Sequence, residues 1–522
     1  MAHVSALQMM SEHYSSTAPH RLDTLPDDVL GAIFKKLTIQ DLLKCRRAGK
    51  LLQKRVDSLG IPLYLITHRQ YHQTLSPPPS QWPPFLLAKH NHRINKSLES
   101  HTWHALQMGR TWPQSVIPTI YVDEDRGRIV VSAGGEVIVH PLYAPRGYYG
   151  EPRYGGKVVG PGRDFVLRTP GSGSKSDVVS VVDLHDGQGS LAIAKFDGQI
   201  ERIILPDYGP TIPKSTARYP HESTRSTRLR KVTGSEKGEM MMTTSWDGVV
   251  SLLQTRSPWI EPITMSLEGK VAWSSLLTTS HPTLSPMAML GTKTVISVHS
   301  ILPSGISSTP SRLLEGPEHP QTSSPYDLRL PSPSSSHHPS LLLSAWYDSH
   351  LRIHDLRSPS LSPILTFQDP FTWADGSAFY SACFTGEHHI AGGGARHGTV
   401  AFFDIRNSKT GWSCFSPGGK GSPVYSLQGE GGRVWGVTER RAFVLAFDGS
   451  GNKPGGLVAH EARAMASRDR DRDRGRYAPS GWRGRGGKWV WPIKYDVDEG
   501  NRAVGYEHTE RDIRLFDSLI AA

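Results

Sequence analysis

The chain has 522 residues, a net charge of +11 and 37% hydrophobic residues, enough for a sizeable core and for more than one domain. Its three cysteines, Cys45, Cys383 and Cys414, lie far apart with no Cys-x-x-Cys pair, which excludes a disulfide scaffold and a thiolate zinc finger. Glycine (51) and proline (39) are too frequent for a long helical bundle, and no run of about 18 apolar residues offers a transmembrane helix. With no apolar signal-peptide core near the N-terminus, the expected location is the cytoplasm or the nucleus.

Residues 1–20 are polar and expected to be disordered. Residues 21–60 change to a helical pattern. Pro26 suits a first helical position, and Asp27 and Asp28 place negative charge in the first turn. Val29, Leu30, Ile33, Phe34 and Leu37 recur at helical spacing and form an apolar face. Thr38 with Asp41 three residues later predicts the N-terminus of a second helix, whose apolar side is Leu42, Leu43 and Cys45. Leu51, Leu52 and Val56 mark a third helix ending near Gly60. Three short helices cannot bury all these side chains among themselves, so an apolar face for another protein is expected.

This stretch resembles an F-box. Leu25, Pro26, Asp28, Val29, Leu30, Ile33, Phe34, Leu37, Asp41, Leu42 and Cys45 match that pattern. Ala48-Gly49-Lys50 and Leu51 or Leu52 depart from its later positions. The resemblance implies docking on a Skp-family adaptor, and through it a cullin, by Leu25, Pro26, Leu30, Ile33, Phe34, Leu37, Leu42 and Leu43.

Residues 61–112 read as a linker with a proline-rich break at 76–84. From 113 to 519 the pattern is short alternating strands with turn signals, a mainly β fold. Eight strand–turn–strand units recur, at 128–142, 190–205, 239–253, 286–302, 340–357, 389–406, 433–448 and 502–517. A period in the forties with about four strands per unit is the signature of a β-propeller. The reading is eight blades. The other count is seven, with an N-terminal strand completing the last blade. Segments near 206–232, 303–340 and 461–488 are low in apolar residues and expected to be disordered insertions.

The units resemble WD repeats. His354-Asp355, Phe403-Asp404 and Phe516-Asp517 stand at the position of the Trp-Asp pair, and Ser245-Trp246-Asp247-Gly248 carries the same turn. An F-box before WD-type repeats resembles a substrate receptor of a cullin-RING ubiquitin ligase of the SCF type. That resemblance implies no catalytic residue, cofactor or metal in this chain, and a propeller that holds a protein substrate, often phosphorylated. Substrate-contact residues are not assigned, because the strand register is needed to place them.

Other signals are weaker. Glu387-His388-His389 lies at a strand start, where neighbours point to opposite faces, which disfavours a metal site. The glycine-rich stretch 392–398 lies between two strands and reads as a hairpin rather than a phosphate loop. Residues 463–488 hold eight Arg and one Lys against three Asp, more than half of the basic excess. This tract leaves two alternatives open: an F-box scaffold without a ubiquitylation role, and an RNA-associated WD scaffold that uses 461–488. No membrane partner is expected.

Overall fold

The computed structural model describes residues 22–68, 75–76, 78–112, 116–123, 126–144, 154–167, 177–206, 213–220, 228–316, 323–333, 335–374, 376–417, 422–430 and 432–450, with short strands at 482–483, 489–490 and 505–508. The chain divides into a helical unit, Met1–Gln70 with Gln81–His92, and a larger unit, Tyr71–Ser80 with Arg93–Ala522.

In the helical unit, α1 (Asp27–Phe34) follows Pro26 and carries Asp27 and Asp28 in its first turn. The side chain of Thr38 accepts a hydrogen bond from the Asp41 backbone N–H at 3.2 Å and so caps α2 (Ile39–Ala48). Extended backbone at Gly49 separates α2 from α3 (Lys50–Arg55). The chain then passes through one wide turn, Val56–Gly60, into α4 (Ile61–His68). Gly60 has a steric role: a Cβ there would stand 3.0 Å from Phe34 and 3.1 Å from Leu42. Leu30, Phe34, Leu42, Leu52, Val56, Ile61 and Leu65 are buried. Arg46 makes a two-point ion pair with Asp57 at 2.7 and 3.1 Å, and its guanidinium lies 4.3 Å from the Phe85 ring centroid.

The larger unit is a seven-bladed β-propeller of antiparallel blades. From inner to outer strand, blade 1 is Thr119–Asp123, Arg128–Ala133, Glu136–Tyr143 and Arg163–Val166. Blade 2 is Val178–Asp183, Ser190–Lys195, Ile200–Ile204 and Lys214–Tyr219. Blade 3 is Leu229–Gly234, Met240–Ser245, Val249–Gln254 and Ile263–Ser266. Blade 4 is Ser274–Thr278, Met287–Gly291, Val295–Leu302 and Arg312–Glu315. Blade 5 is Pro325–Arg329, Leu341–Trp346, His350–Asp355 and Leu365–Gln368. Blade 6 is Phe379–Thr385, His389–Gly394, Thr399–Asp404 and Asn407–Phe415, with Gly505–His508 added outside. Blade 7 is Val424–Glu430, Arg433–Thr438 and Arg441–Ala446, and its outermost strand is His104–Met108 from the start of the chain.

Each pair of neighbouring blades shares an apolar core, and the seventh such core joins blade 7 to blade 1 through Leu106, Met108, Trp435 and Val444 against Ile129, Val131 and Ile138. This is the burial logic of a ring: no single sheet covers both of its faces, and closure removes the free ends.

The ring therefore has seven blades, the alternative count completed by an N-terminal strand, in place of the favoured eight. The units 128–142 and 286–302 are both blades. Of the eighth unit, 502–517, only four residues are described. Its Gly505–His508 joins the edge of blade 6, and 509–517 lies outside the described residues. The early strand His104–Met108 supplies the missing edge of blade 7. The span 61–112 is thus more than a linker: it also holds α4 and α5 (Pro84–Glu99). Two expected insertions contain blade strands as well, Lys214–Tyr219 and Leu229–Gly234 in 206–232, and Arg312–Glu315 and Pro325–Arg329 in 303–340. Outer strands of a blade bury little, so their composition stays polar: in Lys214–Tyr219 only Tyr219 is buried. Most of 461–488 lies outside the described residues.

Five described histidines are buried in the propeller: His140, His299, His337, His354 and His389. His337 packs against Phe384 at 4.8 Å, the Nε2 of His354 lies 3.0 Å from the Glu315 carbonyl, and His389 begins a strand of blade 6. Burial pushes their pKa values down, to about 3 for His337 and about 4 for His354 and His389. In the unfolded chain they titrate near 6.5, so the unfolded state binds protons first as pH falls. Their contribution is complete above pH 6.5 and is lost between 6.5 and about 4, at up to ~1.4 kcal/mol per pH unit for each histidine. Denaturant melts should therefore lose stability steadily from pH 7 to 5. A flat profile over that window would contradict the burial of these rings.

Candidate functional site

The innermost strands line a central cavity of about 1110 Å³. Equal register puts equivalent positions of successive blades on one rim. The second residue of the innermost strand is Arg230 in blade 3, Ser275 in blade 4, and Tyr326, Tyr380 and Tyr425 in blades 5, 6 and 7. The first residue after the second strand is Trp246 in blade 3, Tyr347 in blade 5 and Glu439 in blade 7. Trp273 comes just before the innermost strand of blade 4.

These side chains form a continuous aromatic row. Trp246 and Trp273 meet at 6.3 Å between centroids, Trp273 and Tyr326 at 5.4 Å, Tyr326 and Tyr380 at 4.9 Å, and Tyr380 and Tyr425 at 5.7 Å. Tyr347 stands beside Tyr326 at 5.9 Å. Trp246 is 46% and Tyr347 50% exposed, large for rings of this size. The Arg230 guanidinium lies over both tryptophan rings, 4.3 Å from Trp246 and 3.8 Å from Trp273. Burial lowers its pKa to about 10. Burial also pushes Tyr326 up to about 12, so its hydroxyl stays a proton donor at neutral pH.

One layer deeper the channel is ionic. Asp327 is buried and accepts from Lys231 Nζ at 3.0 Å, Arg329 Nε at 2.9 Å and the Ala382 backbone N–H at 3.2 Å. This carboxylate ties the innermost strands of blades 3, 5 and 6 together. The rim above it is rich in Trp, Tyr and Arg, the residue types that dominate binding hot spots.

In the helical unit the eight residues expected to meet an adaptor fall into two sets. Leu30, Phe34 and Leu42 are packed inside the unit and hold its helices together. Leu25, Ile33, Leu37 and Leu43 are half-buried, and Pro26 is exposed. Val29, four residues before Ile33, is 41% exposed, so Pro26, Val29 and Ile33 share the outer face of α1.

The aromatic row was missed in the sequence. The turn residues Trp246 and Tyr347 stood in the repeat units, but Tyr326, Tyr380 and Tyr425 gain meaning only when the innermost strands are aligned. Among the described residues no group of three or more His, Cys, Asp or Glu is arranged to hold a metal ion. Cys383 and Cys414 are buried, and burial raises both thiols, that of Cys383 to about 12, far from reactive thiolates. No described helix is long and apolar enough to cross a membrane.

A seven-bladed propeller with an open, aromatic central rim fits a protein-interaction or substrate-binding scaffold, a class that is typically non-catalytic. No protein-family model matches the chain, and no curated protein matches it in sequence.

Proposed function

We propose that the chain is a substrate receptor of an SCF-type ubiquitin ligase, with the helical unit docking on a Skp-family adaptor and the propeller rim holding a protein substrate. The reading is carried by the pairing of an F-box-like motif, folded as short helices with apolar side chains on the outside of α1, with a propeller whose rim presents unpaired aromatic groups. In this role the chain performs no chemistry; it raises the effective concentration of a substrate lysine near the conjugating machinery.

The test is adaptor co-purification. Val29→Asp with Ile33→Asp changes the outer face of α1 while leaving Leu30 and Phe34 in the core. Burying two unpaired carboxylates costs several kcal/mol, enough to cancel a micromolar interface of about 8 kcal/mol. The expected result is loss of the adaptor with an unchanged melting profile. Undiminished co-purification would exclude this face as the docking surface.

A further inference from the structure

Among the described residues, none of the four tyrosine hydroxyls or the two indole N–H groups of the aromatic row has a hydrogen-bond partner. The two ends of the row differ in charge. At one end the Nε and Nη1 of Arg230 are shut off from water without an acceptor. At the other, burial raises the Tyr425 hydroxyl and the nearby charge of Glu439, also on the cavity lining, raises it further. The face thus offers ring planes and free donors, a cation at one end and a carboxylate at the other.

The complementary ligand supplies acceptors and apolar surface but few donors. A proline-rich chain does so: proline has no N–H, and a polyproline-II helix turns its carbonyls outward. Its rise of about 3.1 Å per residue puts alternate residues about 6 Å apart, close to the ring spacing of 4.9–6.3 Å. A phosphorylated ligand fits less well, because Lys231 and Arg329, the other Lys and Arg side chains among the described lining residues, are already committed to Asp327.

We propose that this row is a docking groove for a proline-rich segment of the partner protein, bound as a polyproline-II helix with an acidic residue at Arg230 and a basic residue at Glu439. The inference rests on the reading of this rim as the substrate-holding face, and names the class of ligand it takes.

The test uses the full chain and a fluorescein-labelled probe, Glu-Pro-Pro-Ala-Pro-Pro-Ala-Pro-Arg, followed by anisotropy. Micromolar binding is expected, at least about tenfold tighter than to the same peptide with alanine for proline. Joint Tyr326→Phe, Tyr380→Phe and Tyr425→Phe keeps the rings and removes three donors, and should weaken binding about tenfold with the melting temperature unchanged. Glu439→Gln should erase the preference for this charge order over its reverse and leave the proline preference. The proposal is overturned if the alanine peptide binds equally well, if a phosphoserine peptide binds more tightly, or if the triple Phe variant binds like the parent. Should the proline probe fail while Trp246→Ala with Tyr347→Ala still abolishes ubiquitylation of a captured partner, the substrate-holding face stands and only the ligand class falls. Adaptor co-purification by the rim variants reports separately on the helical unit.

Discussion

Deleting residues 104–108 is expected to prevent the propeller from forming a stable, soluble ring. These five residues pair along Arg441–Ala446, from His104 opposite Ala446 to Met108 opposite Ala442. Ala105, Leu106, Gln107 and Met108 are buried, and Gln107 accepts a hydrogen bond from buried Arg441 at 2.9 Å. Without the strand, blade 7 has a bare edge and the core between blades 7 and 1 loses Leu106 and Met108. Each large apolar side chain is worth about 1.5–3 kcal/mol of burial, and the orphaned edge invites pairing with other chains. The point variant Leu106→Asp should act the same way, by placing a carboxylate in that core. The measurement is soluble yield and thermal melting beside the intact chain. A deletion that melts within a degree or two of the parent would mean that the ring does not depend on this closure.

The second large effect is expected from Asp327→Ala. Burial alone would raise this carboxyl, but Arg329 and Lys231 beside it outweigh that effect and hold it below the usual carboxylate range. Removing it leaves two cations facing each other in the channel and the Ala382 N–H without its acceptor. Both cations keep some contact with water, so the loss falls at the lower end of the about 3–5 kcal/mol for breaking a buried pair, and a drop of several degrees in melting temperature is expected. Adding Lys231→Met should recover part of the loss, because one stranded charge is then gone. If the single variant melts like the parent, the carboxylate does not hold the inner strands together.

The helices and the repeated strands were legible because their signals are local. Pro26, the acidic first turn and the Thr38 cap act within a few residues; the acidic turn and the cap stand where the sequence places them, and Pro26 stands one position earlier, just before the helix. The seven blade hairpins were legible for the same reason: their second and third strands are the most buried and carry the most regular apolar runs. The outer strands escaped because they bury only one edge, which leaves polar sequences such as Lys214–Tyr219 with little pattern to read.

By itself, then, the sequence determined a propeller preceded by a small helical unit, together with its turn chemistry and most of its blades. Tertiary structure decided the rest. Seven blades rather than eight follows from ring closure, in which His104–Met108 pairs with a strand more than 300 residues away, a partnership no local pattern encodes. The candidate rim is likewise a product of the ring. Arg230, Tyr326, Tyr380 and Tyr425 are far apart along the chain and unremarkable in place, and they become one surface because blades of equal register bring the same strand position to the same circle. The division between Leu30 and Phe34 inside, Val29 outside and Ile33 half-buried at the edge was also left to packing. Helical spacing marks a broad apolar stripe, and which of its edges is covered depends on where α4 and the turn at Gly60 come to rest.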